Sequence, residues 1–350
     1  MPNQSTTYQS TTYMAAEIIE TPGVVARLVA EEGSAIRTLG ERLRTLNPSV
    51  IVTCARGSSE NAAAYFKYLS EILVGVPVAS VGPSVASIYQ APLRLRDAVV
   101  ISVSQSGQSP DILALQAAAR AAGAFSIAVV NHADSPLAAA ADAVIPLHAG
   151  REASVAATKS CLASAVALAL LVAEWRDDAA LRDAVARLPE ALEATLAHDW
   201  AAALACFEPA QSAYVVARGP ALPVAAEAAL KLKETCVLHA EAFSGAEVMH
   251  GPLQLLHPGF PVIAFSQPDA SRAAMRGSID RLRALQGRVF EVTADAAGGP
   301  DHLAVAATGH PALDPLAMLL SFYSFAEKLS RARGHDPDRP SHLRKVTETL

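Results

Sequence analysis

Residues 99–111 read VVISVSQSGQSPD: a run of Val, Ile and Ser, a polar turn of serines around one glycine, then Pro110 and Asp111. A short apolar run that ends in a turn and leads into a helix start reads as a parallel strand covered on both faces. Residues 261–271 read PVIAFSQPDAS, and the two stretches align with their Ser-Gln pairs at 104–105 and 266–267, an offset of 162. The same offset pairs IVTCARG (51–57) with AYVVARG (213–219), and SIAVV (126–130) with RVFEV (288–292). Each match alone is weak. Three in one register mark an internal duplication.

Each copy alternates short apolar runs with longer helical stretches. In the first, strands are expected over 51–55, 99–104, 125–130 and 144–147, and helices over 59–73, 111–122 and 159–175. The fold class is therefore α/β, with two doubly wound parallel-sheet domains from an internal duplication. A helical lead-in over about 15–45 precedes them, and the alanine-rich stretch 177–207 is expected to bridge them. The expected organisation is a polar tail and lead-in (1–45), a first domain (46–198), a second (199–334) and a C-terminal tail (335–350).

Composition agrees. At roughly 150 residues per domain, 350 residues suggest two domains. Hydrophobic residues make up 51% and charged residues 18%, and mean hydropathy is +0.26, which excludes a disordered chain. Twenty-eight basic against 34 acidic residues give −6, so no basic field points to nucleic acid, although helix termini and a few lysines can still bind a small anion. The most apolar stretch, CLASAVALALLVAEW (161–175), is shorter than the ~18–20 residues of a membrane span and contains Glu174, so a buried helix is expected. The first residues carry QSTTY twice (4–8 and 9–13) and lack the basic and apolar regions of a signal peptide. Cys54, Cys161, Cys206 and Cys236 have no metal-ligand spacing, and reduced thiols in a cytoplasmic protein are the expectation.

In doubly wound sheets ligands bind beyond the carboxyl ends of the strands. In the first copy Ser104, Gln105, Ser106, Gly107, Gln108 and Ser109 occupy that place ahead of a helix start. Hydroxyls, a glycine and free amides at a helix N-terminus form a phosphate cradle; the plainer reading is a βα turn capped by Ser109. The second copy has Ser266-Gln267-Pro268-Asp269, without the glycine and with a carboxylate, and is not expected to hold phosphate. The loop Arg56-Gly57-Ser58-Ser59-Glu60-Asn61 offers further polar groups at the same edge, or is only a capped turn. In EAALKLKETCVLHAEAFSGAEVMHGP (227–252), Glu227, Lys231 and Glu234 share a helix face, which on its own reads as a solvated ion-pair stripe. His239-Ala240-Glu241 lacks the cysteine pair of a zinc deaminase, so no metal is expected. A lone loop histidine such as His250, or a tail lysine such as Lys345, is ordinarily inert.

Together these residues resemble the sugar isomerase (SIS) domain family, and most of all the isomerase half of the glutamine–fructose-6-phosphate aminotransferases. The resembling stretches are SQSGQSPD, VAATK (155–159), ALKLKE (229–234), HAEAF…HGPL (239–253) and LRKVT (343–347), in the family's order. The resemblance implies that Ser104, Gln105, Ser106 and Ser109 bind a sugar 6-phosphate. It implies that Ser58, Ser59 and the backbone near Val155 and Ala157 hold sugar hydroxyls. Glu234 would move a proton between C1 and C2, with Lys231 close by to handle the enolate oxygen. His250 would open the sugar ring from the partner subunit of a homodimer, and Lys345 would lie at the substrate, able to form an imine with a ketose. No cofactor is implied.

The chain departs from those aminotransferases in two ways. About 45 residues precede the first sheet and the earliest cysteine is Cys54, so a glutaminase domain with an N-terminal cysteine is not expected. The implied reaction is then catabolic, glucosamine 6-phosphate and water to fructose 6-phosphate and ammonia, as in the second class of glucosamine-6-phosphate deaminase. Other implied possibilities are a fructosamine-6-phosphate deglycase, a galactosamine-6-phosphate deaminase, a plain phosphosugar isomerase or, least favoured, a sugar-phosphate-sensing regulator. Glu60 stands where the aminotransferases usually carry an aromatic residue, which bears on substrate preference.

Overall fold

The computed structural model describes residues 11–294 and 299–345. The QSTTY repeat falls mostly outside them; its last residues enter the first helix, Tyr13–Leu46, where the Thr12 hydroxyl accepts the Ala15 N–H at 3.1 Å as N-cap. The last five residues of the expected tail, 346–350, also lie outside the described residues.

Two five-stranded parallel sheets follow. The first contains β1 (Ile51–Cys54), β2 (Val78–Ser80), β3 (Val99–Ser104), β4 (Phe125–Val130) and β5 (Ala143–Pro146), in the order β2-β1-β3-β4-β5. The second contains β6 (Ser212–Ala217), β7 (His239–Ser244), β8 (Pro261–Phe265), β9 (Arg288–Thr293) and β10 (His302–Ala304), in the order β7-β6-β8-β9-β10. Both orders are 2-1-3-4-5, one of the doubly wound arrangements. β3 and β8 begin at 99 and 261, the sequence offset itself, whereas β1 and β6 begin at 51 and 212. Central strands β1, β3 and β8 are buried at every residue, as continuous apolar runs require, while edge strands β2 and β7 are partly exposed.

The expected helix over 59–73 instead starts at Ser58, ends at Leu69 and passes into one π-helical turn, Ser70–Val74. Helix Lys159–Arg176 is buried at every residue but the last, wedged between the first helix and helix Ser58–Leu69. Close approach there needs Gly40, because a Cβ at that position would sit 2.7 Å from the Glu174 backbone. Among the described residues no helix is long and apolar enough to cross a membrane. The alanine-rich bridge forms two helices, Ala179–Leu196 and Ala201–Phe207.

The halves meet through helix Ser58–Leu69 after β1, helix Ala221–Cys236 after β6, and helix Asp314–Ala332. One apolar core runs through both. This packing brings the carboxyl edge of the first sheet beside the end of helix Ala221–Cys236.

Candidate active site

A cleft of about 280 Å³ opens at the carboxyl edge of β1 and β3. Its walls include Ser58, Ser59, Ser104, Gln105, Ser106, Ser109, Val155, Ala157, Glu234 and Lys345, so ten of the twelve residues singled out by sequence come together there. Lys231 and His250 do not line it.

The turn after β3 is shaped by Gly107, whose φ of +63° suits glycine. Ser104 Oγ accepts the Gly107 N–H at 3.1 Å and Ser106 Oγ accepts the Gln108 N–H at 3.4 Å, which fixes both serines while leaving their O–H donors for an anion. Pro110 stands at the first helical position and Ser109 at the N-cap, yet the Ser109 side chain makes no capping bond. Its hydroxyl belongs to the cleft, not to the helix. In the other loop the N-cap is Gly57, and Ser58 and Ser59 are the first helical residues.

Arg56 lines the same cleft and forms a salt bridge with the fully buried Asp111. Sequence reasoning passed over this pair because its members lie 55 residues apart; the signal was a cation beside a serine-rich turn. Glu60 lies outside the cleft wall and accepts the Ser80 hydroxyl at 2.6 Å. In the second copy Asp269 accepts bonds from the backbone N–H and hydroxyl of Ser271 and from the Gln267 amide. The carboxylate occupies the donors of that turn.

The Glu227–Lys231–Glu234 face is no solvated stripe. Lys231 is fully buried, with Glu227 at 3.4 Å on one side and Glu234 in direct hydrogen-bond contact on the other. Burial alone would lower the Lys231 pKa, but the two carboxylates hold it raised. Glu227 is equally buried, and burial pushes its carboxyl up against the pull of Lys231 and of Asn61, whose Nδ2 donates at 2.8 Å. Tyr323 Oη donates to the other Glu227 oxygen at 3.1 Å. Only Glu234 reaches the cleft, with 23% of its side chain exposed. Lys231 thus stands behind Glu234 and does not line the wall where an enolate oxygen would lie: it shares a helix face with Glu234 but is fully buried between the two carboxylates.

Val155 donates its N–H to the Asp338 carbonyl at 3.2 Å, so a sugar hydroxyl there would have to donate to the Val155 carbonyl. Lys345 Nζ donates to Glu152 Oε2 at 2.9 Å and to the Ser154 carbonyl at 2.7 Å. His250 is exposed, at the junction of two short 3₁₀ turns, Glu247–Met249 and Gly251–Leu255. Among the described residues no group of three or more His, Cys, Asp or Glu is placed to hold a metal ion.

A sequence model of the family described as the SIS domain matches residues 47–174 and 207–298, one segment on each sheet. The chain belongs to the SIS domain family. A glutamine–fructose-6-phosphate aminotransferase (isomerizing) of Leifsonia xyli subsp. xyli is 33% identical over 95% of this SIS chain. The match covers 58% of that relative, so the chain spans little more than half its length. A crystal structure from Silicibacter pomeroyi DSS-3, provisionally described as a phosphosugar isomerase, is 42% identical over 94% of this chain and all of that one, with a TM-score of 0.88. The C-terminal domain of a glucosamine–fructose-6-phosphate aminotransferase from Francisella tularensis shares the fold at 24% identity and a TM-score of 0.85, over 95% and 99% of the two chains.

Proposed function

We propose that the chain is an isomerising deaminase that converts glucosamine 6-phosphate and water to fructose 6-phosphate and ammonia. The observation that carries this reading is one cleft with a serine-lined helix N-terminus at one wall and Glu234, backed by the buried Lys231, at another. An anion cradle and a carboxylate base facing one small cavity suit proton transfer on a sugar held by its phosphate.

In this reading Ser104, Gln105, Ser106 and Ser109 take the phosphate, and Ser58, Ser59, Val155 and Ala157 take the hydroxyls. Glu234 removes the C2 proton of the open-chain sugar to give an enolamine. Reprotonation at C1 leaves a C2 imine, which water hydrolyses to the ketose and ammonia. Lys231 acts through Glu234, holding the carboxylate in place and offsetting the charge of Glu227. Ring opening falls to His250 of a second copy. A further cleft of about 470 Å³, lined by Glu234, Lys233, His335 and His342 among others, leaves room beside the base for such a loop.

Nitrogen chemistry is favoured because the curated relative is an aminotransferase that works on fructose 6-phosphate, whose amination product this reaction would undo. A second reading, an aldose–ketose phosphosugar isomerase without nitrogen chemistry, is favoured by the Silicibacter pomeroyi structure at 42% identity. Purified protein incubated with glucosamine 6-phosphate and no glutamine decides between them. Ammonia and fructose 6-phosphate in equal amounts support the first reading. Ketose formed from an aldose 6-phosphate, with no ammonia from any 2-amino sugar phosphate, supports the second.

A further inference from the structure

Glu152 is a fully buried carboxylate that no step above employs. Four donors surround it. Oε1 accepts the backbone N–H groups of Thr158 at 3.0 Å and Ser160 at 3.1 Å; Oε2 accepts the Ser160 hydroxyl at 2.8 Å and Lys345 Nζ at 2.9 Å. A carboxylate so fixed by its own loop and helix start is a preformed seat for a cation. The seat is also short of positive charge. Glu17, likewise buried, accepts the Ala153 and Ser154 amides beside it, while Lys159 in the same region is bound to Glu20 at 2.6 Å and to the Arg151 carbonyl at 2.7 Å.

The tail that carries Lys345 is pinned at a second point. Asp338 accepts the N–H groups of Tyr13 and Met14, both at 2.8 Å, at the start of the first helix, and its carbonyl accepts Val155. Between the two anchors Leu343 and Arg344 form part of the cleft wall. The loop 152–157 that presents Val155 and Ala157 to the cleft therefore also holds both ends of this strap.

We propose that Glu152 is the positioning residue for Lys345, holding the tail ammonium and the strap behind it against the cleft. For catalysis this rests on the reaction proposed above. While docked, Lys345 serves a bound sugar as a charged hydrogen-bond donor and not as a nucleophile, because its ammonium is committed to Glu152 and the Ser154 carbonyl. An imine at Lys345 would first require release from Glu152.

A double-mutant cycle on the full chain tests this with Glu152→Gln, Lys345→Met and the double variant. Glutamine keeps an acceptor for the Thr158 and Ser160 amides, and Lys345→Met alters a partly exposed side chain, so the second variant reads the contact if the first folds poorly. Amide hydrogen exchange over residues 339–345 should quicken about tenfold in each single variant and no further in the double. With glucosamine 6-phosphate, Glu152→Gln should lower kcat in the parent and leave it unchanged in the Lys345→Met background. Additive effects on exchange, or no effect of either single variant, overturn the proposal. If no variant and no parent protein turns over any sugar phosphate, the proposed reaction fails while the exchange cycle still decides the role of Glu152.

Discussion

Arg56 and Asp111 form a salt bridge that ties the loop after β1 to the helix start after β3, with the carboxylate fully buried and the guanidinium partly open to the cleft. The carboxylate is further fixed by accepting the Ile112 N–H at 2.9 Å. A guanidinium held in this way would add a cation to the proposed phosphate cradle, otherwise built of hydroxyls and amides. Arg56→Ala should raise KM for the sugar phosphate about tenfold with a smaller change in kcat, and weaken inhibition by inorganic phosphate equally. It also leaves Asp111 without its counter-charge, which should cost about 1–2 kcal/mol in a urea unfolding series after allowance for the exposure of Arg56.

Gly107 turns the same cradle. A Cβ there would lie 2.1 Å from Ser135 Oγ and 2.6 Å from Ser135 Cβ, and the residue would have to keep a φ of +63°. Gly107→Ala should therefore destabilise by about 1–3 kcal/mol and move the amides that Ser104 and Ser106 hold. A lowered melting temperature together with lost phosphate inhibition is the expected pair of results.

Glu234→Gln keeps a hydrogen-bond acceptor for Lys231 and removes the proposed base. Expected is a fall in kcat of about 10²–10⁴ with KM within a few-fold of the parent. Solvent deuterium incorporation at C1 or C2, followed by NMR, should fall with it, because in the proposed reaction proton transfer precedes loss of nitrogen. Undiminished turnover in the variant would remove Glu234 from the mechanism.

Much of this was legible in the residues, and the limits were physical. Both sheets announced themselves because strands covered on two faces must be apolar throughout, and a duplicated chain repeats that constraint at a fixed spacing. The serine turn was legible because Gly107 has no equivalent at the second copy's Ser266-Gln267-Pro268-Asp269. Helical spacing placed Glu227, Lys231 and Glu234 on one face, but spacing is blind to what packs against that face. Burial by helices Ser58–Leu69 and Asp314–Ala332, through Asn61 and Tyr323, turns a surface motif into an internal charge cluster. Pairs such as Arg56–Asp111 and Glu152–Lys345 were beyond reach because each joins residues far apart in the chain.

That internal cluster has a sharp stability signature. Lys231→Met leaves Glu227 and Glu234 without the cation between them, and Glu227 is buried, with 1% of its side chain exposed. A loss of about 3–5 kcal/mol is expected from chemical denaturation. Adding Glu227→Gln to Lys231→Met should recover much of it, since the buried charge disappears with its partner. Recovery of fold without recovery of turnover would separate the structural part of Lys231 from its hold on Glu234.

Acid should loosen the tail. Burial alone would raise the Glu152 carboxyl, but Lys345, the Thr158 amide and the Ser160 hydroxyl hold it below its ordinary value of 4.5. A carboxyl lowered in the folded state contributes stability that is fully present above about pH 4.5 and is lost as pH falls through its depressed folded value. Glu17 acts in the opposite sense, raised chiefly by burial, so its protonation favours the fold as pH falls. Amide exchange over residues 339–345 should therefore accelerate below about pH 4.5 in the parent, after correction for intrinsic rates. In Glu152→Gln the same segment should already exchange quickly at pH 7 and accelerate less in acid than in the parent, because one of its two carboxylate anchors is gone while Asp338 remains.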